Sequence, residues 1–390
     1  MQPITRFLLL LVALLLPNLA SGRGSLPDTM QRMAEIVLPG AAGRFDYMGL
    51  DAAKDRLFIN QMGAGRTLVF DLRQQRLIGQ IVGLAAPTGI TLAPGLHLAF
   101  ISDPGAGLDR VWGDGSVVAV SLRTLAVVQR FAAGGFPDGS AWVPALGRLF
   151  VSNERGGVET VIGGDAPLRV EQTLKLGGEA GNSAFDAASN RVLVNVQSRG
   201  QIVAIDPETM EIEGRVTLPA TCQHNHGLLV DDADHLAFVA CDGNARLLTL
   251  SLPSLRPVQL NRLGRDPDVL ALDTRRQRLW VASESGVVSV FSIAAGKLRT
   301  LWRGFVGPDA HSVAIDPTTG WAWFPLADVD GRPVLRAMRL TPNCTAPRHG
   351  PSTCSQTPVK CSSVRLNLEQ IQLVSDRDQF GLGAIGLQGA

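Results

Sequence analysis

Three features of the sequence predict an all-β protein built as a closed ring. Short apolar runs alternate with clusters of Gly, Pro, Asp and Asn; the pattern returns about every 42 residues; and a strand-like segment around residue 36 stands alone ahead of the first repeat. Seven such units make a seven-bladed β-propeller of four-stranded antiparallel blades, with the last blade closed by the N-terminal strand. A ring is the physical solution. One small sheet cannot bury both its faces, whereas sheets packed face to face in a circle expose only short outer edges.

The clearest unit covers residues 226–260. Residues 226–230 and 236–240 are almost wholly apolar, as strands covered on both faces must be. Residues 246–252 alternate, with Leu248, Leu250 and Leu252 on one side and Thr249 and Ser251 on the other, and residues 258–260 are shorter and half polar. Asp231-Asp232-Ala233-Asp234, Asp242-Gly243-Asn244 and Pro253-Ser254 supply the turns. Burial thus falls from the first strand to the last, as from the axis of a wheel to its rim.

Taken in order, residues 1–22 carry Arg6, an apolar run over 7–17, and the small residues Ala20, Ser21 and Gly22. That is the layout of a secretory signal peptide, with a core shorter than the roughly 20 apolar residues of a spanning helix. Residues 23–33 read as a leader. Residues 34–40 resemble the fourth strands of other units, such as Arg215-Val216-Thr217-Leu218-Pro219, and are assigned to blade seven. The turn after the first strand marks each blade in order at Asp51, Ala93, Pro144, Asp186, Asp231, Asp273 and Asp316, with spacings of 42, 51, 42, 45, 42 and 43. Second strands follow as LFIN after Arg56, LAFIS from Leu98, LFVSN from Leu149, VLVNV from Val192, LWVAS from Leu279 and WAWFP from Trp321; third strands follow as TLVFDL, VVAVSL, ETVI, IVAIDP, VVSVFS and VLRAMRL. The spacing of 51 marks an insertion over 103–115 that holds Asp109, Arg110 and Trp112, read as a surface excursion. The seventh unit stops at Leu340 with three strands, so the segment at 34–40 must complete it, pinning both chain ends in one sheet. The propeller therefore spans 34–340. Residues 341–390 are rich in Thr, Ser, Pro, Gly and Gln, hold Cys344, Cys354 and Cys361, show no blade pattern, and read as a disordered or atypical tail.

The form seen at Val203-Ala204-Ile205-Asp206-Pro207-Glu208-Thr209-Met210-Glu211-Ile212, the R-L-F-V-x-N turn over 148–153, and the stretch from His226-Gly227 to Cys241-Asp242-Gly243-Asn244 resemble the YVTN or YncE-like β-propeller proteins. The resemblance covers about residues 34–340. It implies an exported bacterial propeller, periplasmic or secreted, with no stable membrane anchor after signal cleavage. It says little about chemistry, because one propeller scaffold carries many functions.

Composition narrows the classes. Hydrophobic residues at 45% and charged residues at 18% suit a compact core, and a net charge of +1 gives no general attraction to nucleic acid or anionic membranes. Trp142, Trp280, Trp321 and Trp323 fall within strands, where packing between blades is expected, rather than among basic residues as a nucleic-acid stacking platform would need. No G-x-S-x-G elbow, Walker sequence, Rossmann fingerprint or HExxH is present, and the absence of C-x-x-C-H rules out covalent haem.

The loops leading into the first strands of a propeller converge on the central opening of one face. Here they gather Asp46, Tyr47, Asp138, Asn182, His224, His226, Asp268, Asp309 and His311, while the strands are bare of such residues. Crowded ionisable groups in a concave mouth perturb one another's pKa values and attract a cation or a basic or hydroxylated ligand. The plainer reading is that the Asp and Asn residues cap turns and the His residues bond to backbone. A divalent cation held by His224, His226, His311 and one aspartate would be a further use of the same residues. Cys222 and Cys241 fall at the same end of two antiparallel strands and are expected to form a disulfide in an oxidising compartment; free buried thiols or ligation beside His224 are the alternatives. The sequence therefore points to a binding or interaction scaffold with a small-molecule or protein partner at the central face. The rivals are a metal-dependent hydrolase or lactonase and an accessory subunit of a periplasmic redox enzyme.

Overall fold

The structure, a computed structural model, describes residues 28–342. The signal peptide expected over 1–22, leader residues 23–27, and the tail beyond residue 342 with Cys344, Cys354 and Cys361 lie outside the described residues. Seven four-stranded antiparallel sheets form the blades of a propeller. The six unbroken blades run Met48–Ile81, Ile90–Ala132, Pro137–Lys175, Ala180–Thr217, Asn225–Arg262 and Pro267–Phe305, each with its strands paired in chain order. The seventh comprises Ala314–Ile315, Ala322–Val329 and Arg332–Thr341.

Its fourth strand is Thr29–Val37, from the other end of the chain. Ile36 stands opposite Leu335 and Val37 opposite Val334, and the pairing continues outward to Thr29 opposite Thr341. The closing strand thus begins five residues before the expected start at residue 34, so residues 29–33, read from the sequence as leader, belong to the sheet. They were hard to see because an outer strand packs on one side only: Met30 and Ile36 touch core, while Gln31, Arg32 and Glu35 face water.

The apolar residues fall into seven clusters, one for each seam between neighbouring blades. Side chains alternate across a strand, so consecutive residues serve opposite seams. In blade one, Leu57 and Ile59 pack toward blade seven and Phe58 toward blade two. A second strand must therefore be apolar at successive positions, which is why runs such as LFIN show no alternation. Trp280 and Trp323 are fully buried in seams; Trp142 and Trp321 are half-buried, Trp142 with its ring stacked 6.0 Å from Phe100.

A polar layer interrupts this core near the end of the second strands, contrary to the expectation of bare strands. Asn60 donates to the carbonyls of Thr88 and Gly89, Ser102 to that of Asp138, and Asn195 to those of His226 and Gly227. Each ties one blade to the inner strand of the next by bonding to its backbone carbonyls. The Cys222–Cys241 disulfide forms as expected, with Cα atoms 5.2 Å apart. In the chain-entropy picture a loop of this length contributes about 3 kcal/mol.

Candidate functional site

In blades three to six the pairing of the first strand with the second breaks register between Pro137 and Ser140, Ala180 and Ser183, Asn225 and Leu228, and Pro267 and Leu270. The residues inside these breaks include Asp138, Asn182, His226 and Asp268, released from the ladder as bulges release and re-aim side chains. Two residues ahead of Asp138, His226, Asp268 and His311 stand Phe136, His224, Asp266 and Asp309, with φ of 57°, 55°, 52° and 56°. A side chain in this left-handed region is uncommon, and its recurrence in four blades marks a held loop geometry. Gly227 supplies the remaining condition: a Cβ there would lie 2.2 Å from the carbonyl oxygen of Asp268, so the inner strands of blades five and six approach this closely only with glycine.

The outcome is a mouth of about 340 Å³, lined by Asp46, Tyr47, Asp138, His224, His226 and Asp268 of the expected set. Below it runs a central channel of about 480 Å³, lined by the first strands of the blades and also by Tyr47 and Asn182. Tyr47, the only tyrosine in the chain, connects blades one, four and six. Its hydroxyl lies 3.3 Å from Asp268 Oδ1 and accepts a 2.6 Å hydrogen bond from Asn182 Nδ2. The phenol thus stands where mouth and channel adjoin.

His226 is the centre of the polar network. Its Nδ1 lies 2.8 Å from Gln197 Oε1, and its Nε2 lies 3.5 Å from Asp268 and 3.8 Å from Asp138. Gln197 donates in turn to Glu154 at 3.0 Å. Burial opposes charge on His226, but the hydrogen bond and field of Asp268, with Asp138 and Glu154 adding, hold its pKa up at about 10. Asp268 is lowered: burial works against ionisation, and the neighbouring His226 outweighs it. Burial pushes Asp138 well above the usual carboxylate range, reinforced by Asp46. Burial likewise lifts Asp46 to about 6 against the pull of His311. An ion pair thus stands beside a carboxyl whose burial disfavours its charge.

The remaining expected residues divide. His311 is fully buried, and burial is overridden by its 3.0 Å contact with Asp309, which raises it to about 9. Asp309 orients His311 rather than lining the mouth. His224 does line it, but its Nδ1 pairs with Asp242 at 2.7 Å, and it does not join His226 and His311 as a ligand set. The histidines sit on blades five and seven, with Asp268 of blade six between them; among the described residues, the group whose ligand atoms come within 4.8 Å of one another is Asp46, Asp268 and His311.

Sequence reasoning missed Glu154, Asp242 and Glu284, which also line the mouth. All three follow the last residue of a second strand, Asn153, Cys241 or Ser283. The hairpins between second and third strands open on the same face as the loops between blades, so the position after each second strand was the available signal. The insertion at 103–115 is exposed at Leu108 and Trp112, and its Arg110 carbonyl accepts from Arg155, whose guanidinium lies 4.7 Å over the ring of the mouth residue Phe136.

Comparison with solved structures supports the propeller fold. The RRP9 WD40 repeats match with a TM-score of 0.65 at 10% sequence identity, over 80% of this chain and 100% of that one. A chain of the mitotic checkpoint complex matches with a TM-score of 0.66 at 9% identity, over 86% and 99%. No family model matches the sequence, and no curated protein matches it.

Proposed function

We propose that this chain is an exported, YVTN/YncE-like propeller that binds a small ligand bearing positive charge or hydroxyl groups in its central mouth. The observation that carries the reading is the acid-rich lining of the mouth. Asp46, Asp138, Glu154, Asp242, Asp266, Asp268 and Glu284 line it against Arg44, His224 and His226, and Arg44 is drawn aside by Glu284 at 2.9 Å. Such a site attracts cations and offers paired acceptors to hydroxyls. Export is supported by the signal-like residues 1–22 and by the disulfide, which persists in oxidising compartments. Among the described residues no helix is long and apolar enough to cross a membrane.

The test is calorimetric titration of the mature chain with choline and putrescine as cationic probes and glucose as a hydroxylated one. Saturable binding of at least one is expected, weakened ~10-fold or more by Asp138→Asn, which keeps shape but removes the titrating carboxyl. Absence of saturable binding for all three, or an affinity indifferent to Asp138→Asn, sinks the reading.

A further inference from the structure

We propose that Asp46, Asp268 and His311 hold a divalent transition-metal ion low in the mouth. The proposal deepens the ligand-binding reading above and rests on it. The three side chains come from blades one, six and seven, are 5 %, 8 % and 0 % exposed, and bring their ligand atoms within 4.8 Å of one another. The independent sign is His311. Its Nδ1 lies 3.0 Å from the Asp309 carboxylate and 3.1 Å from the Asp309 carbonyl, both acceptors, so Nδ1 carries a proton in either charge state of the ring, and a metal would take the place of any proton on Nε2. Nε2 is buried and has no hydrogen-bond partner among the described residues.

A buried ring nitrogen with nothing to bond is costly unless something occupies the space before it. A metal ion does so, and a carboxylate behind the other ring nitrogen is how metal-binding histidines are held in the required tautomer. The ion also removes the repulsion between two buried carboxylates. Arg44 is the competing cation, but its Nε stands 4.0 Å from Asp46 and its terminal nitrogen is engaged by Glu284. One imidazole with two carboxylates suits zinc or manganese, whereas calcium and magnesium prefer oxygen alone. Drawing the three groups onto an ion at ~2.1 Å needs side-chain shifts under ~1 Å each. Three protein ligands leave the coordination sphere open on the side of the mouth, where Asp138 and His226 would meet whatever oxygen ligand the metal takes.

The experiment is calorimetric titration of the metal-stripped mature chain with Zn2+. One ion per chain is expected with micromolar or tighter affinity, weakened ~100-fold by Asp46→Asn but no more than ~3-fold by Glu284→Gln, an acid of the same mouth outside the triad. No saturable binding, or equal weakening by both substitutions, overturns the assignment. X-ray absorption of the Zn2+-loaded unsubstituted chain supplies a readout that no folding defect can mask. A single imidazole among oxygen ligands supports the triad, and two imidazoles would move the ion to His224 and His226 and overturn it. Failure of Zn2+ with retained binding of choline, putrescine or glucose removes only the metal; failure of all four removes the mouth as a ligand site as well.

Discussion

Glu159 shows what a single residue does when a charge is placed in a seam. It lies on the third strand of blade three, wholly buried, with one carboxyl oxygen 2.7 Å from Ser183 Oγ of blade four and the other 3.1 Å from Ser152 Oγ. Burial raises its pKa from 4.5 to about 8 against the help of both hydroxyls. In the unfolded chain the carboxyl ionises near 4.5, in the folded chain only near 8, so between these values the unfolded state binds fewer protons. Stability from this group is therefore greatest below about pH 4.5, falls as pH rises to about 8, and then levels. At about 1.4 kcal/mol per unit of separation the loss amounts to a few kcal/mol. Glu159→Gln, which keeps the hydroxyl contacts, should flatten this slope and stabilise the protein most at alkaline pH; denaturant unfolding across the pH range checks it, and an unchanged slope refutes it. The sequence hid this residue because ETVI reads as an ordinary short strand, and only the rotation between blades decides that its glutamate faces Ser183. The mouth residues were easier. Asp46, Asp138, His226 and Asp268 sit beside turn signals, and topology alone carries those loops to the axis. What the loops could not reveal was partnership across the ring, such as Tyr47 with Asn182 and Asp268.

At the scale of the element, the strand Thr29–Val37 bears a task out of proportion to its burial. It contributes Ile36 and Ala34 to the seam between blades seven and one, and its Glu35 receives Arg336 at 2.6 Å. Without it, Arg332–Thr341 would become an unpaired edge with its ladder groups open to water and to other chains. A chain starting at residue 38 should melt on the order of 10 °C lower than one starting at residue 28. A synthetic peptide covering 28–39 should restore much of that loss in a concentration-dependent way, by adding a strand in trans. A truncated chain that melts at the same temperature, or a peptide without effect, would mean that the ring is held shut by the seam alone. The strand was legible in part because its inner half copies the fourth strands elsewhere. Its outer half, pairing Gln31 with Arg339 and Arg32 with Met338, lacks apolar repetition and could be placed only by its partner.

For the whole molecule, the arrangement of the core decides whether closure is a latch or a seam. Seven clusters, one between each pair of neighbours, include one between the first blade and the last, where Trp323 packs 5.5 Å from Phe70. If the ring were an open solenoid with a tied end, this junction could part while the other six held, and the mouth would lose Asp46 and Tyr47 from its circle. A closed ring has no weakest place fixed by chain order: parting any seam exposes two apolar faces and releases the geometry at the axis. Trp323→Ala should therefore cost about as much as Trp280→Ala in the neighbouring seam, about 3–5 kcal/mol each, with unfolding remaining a single transition for both. The comparison is made by denaturant unfolding followed through tryptophan fluorescence and far-ultraviolet circular dichroism together. A Trp323→Ala loss below about 1 kcal/mol, or an early separate transition in that variant alone, would show the closing junction to be a latch. The ligand site would then open with it, because Asp46 and Tyr47 reach Asp268 only across that junction.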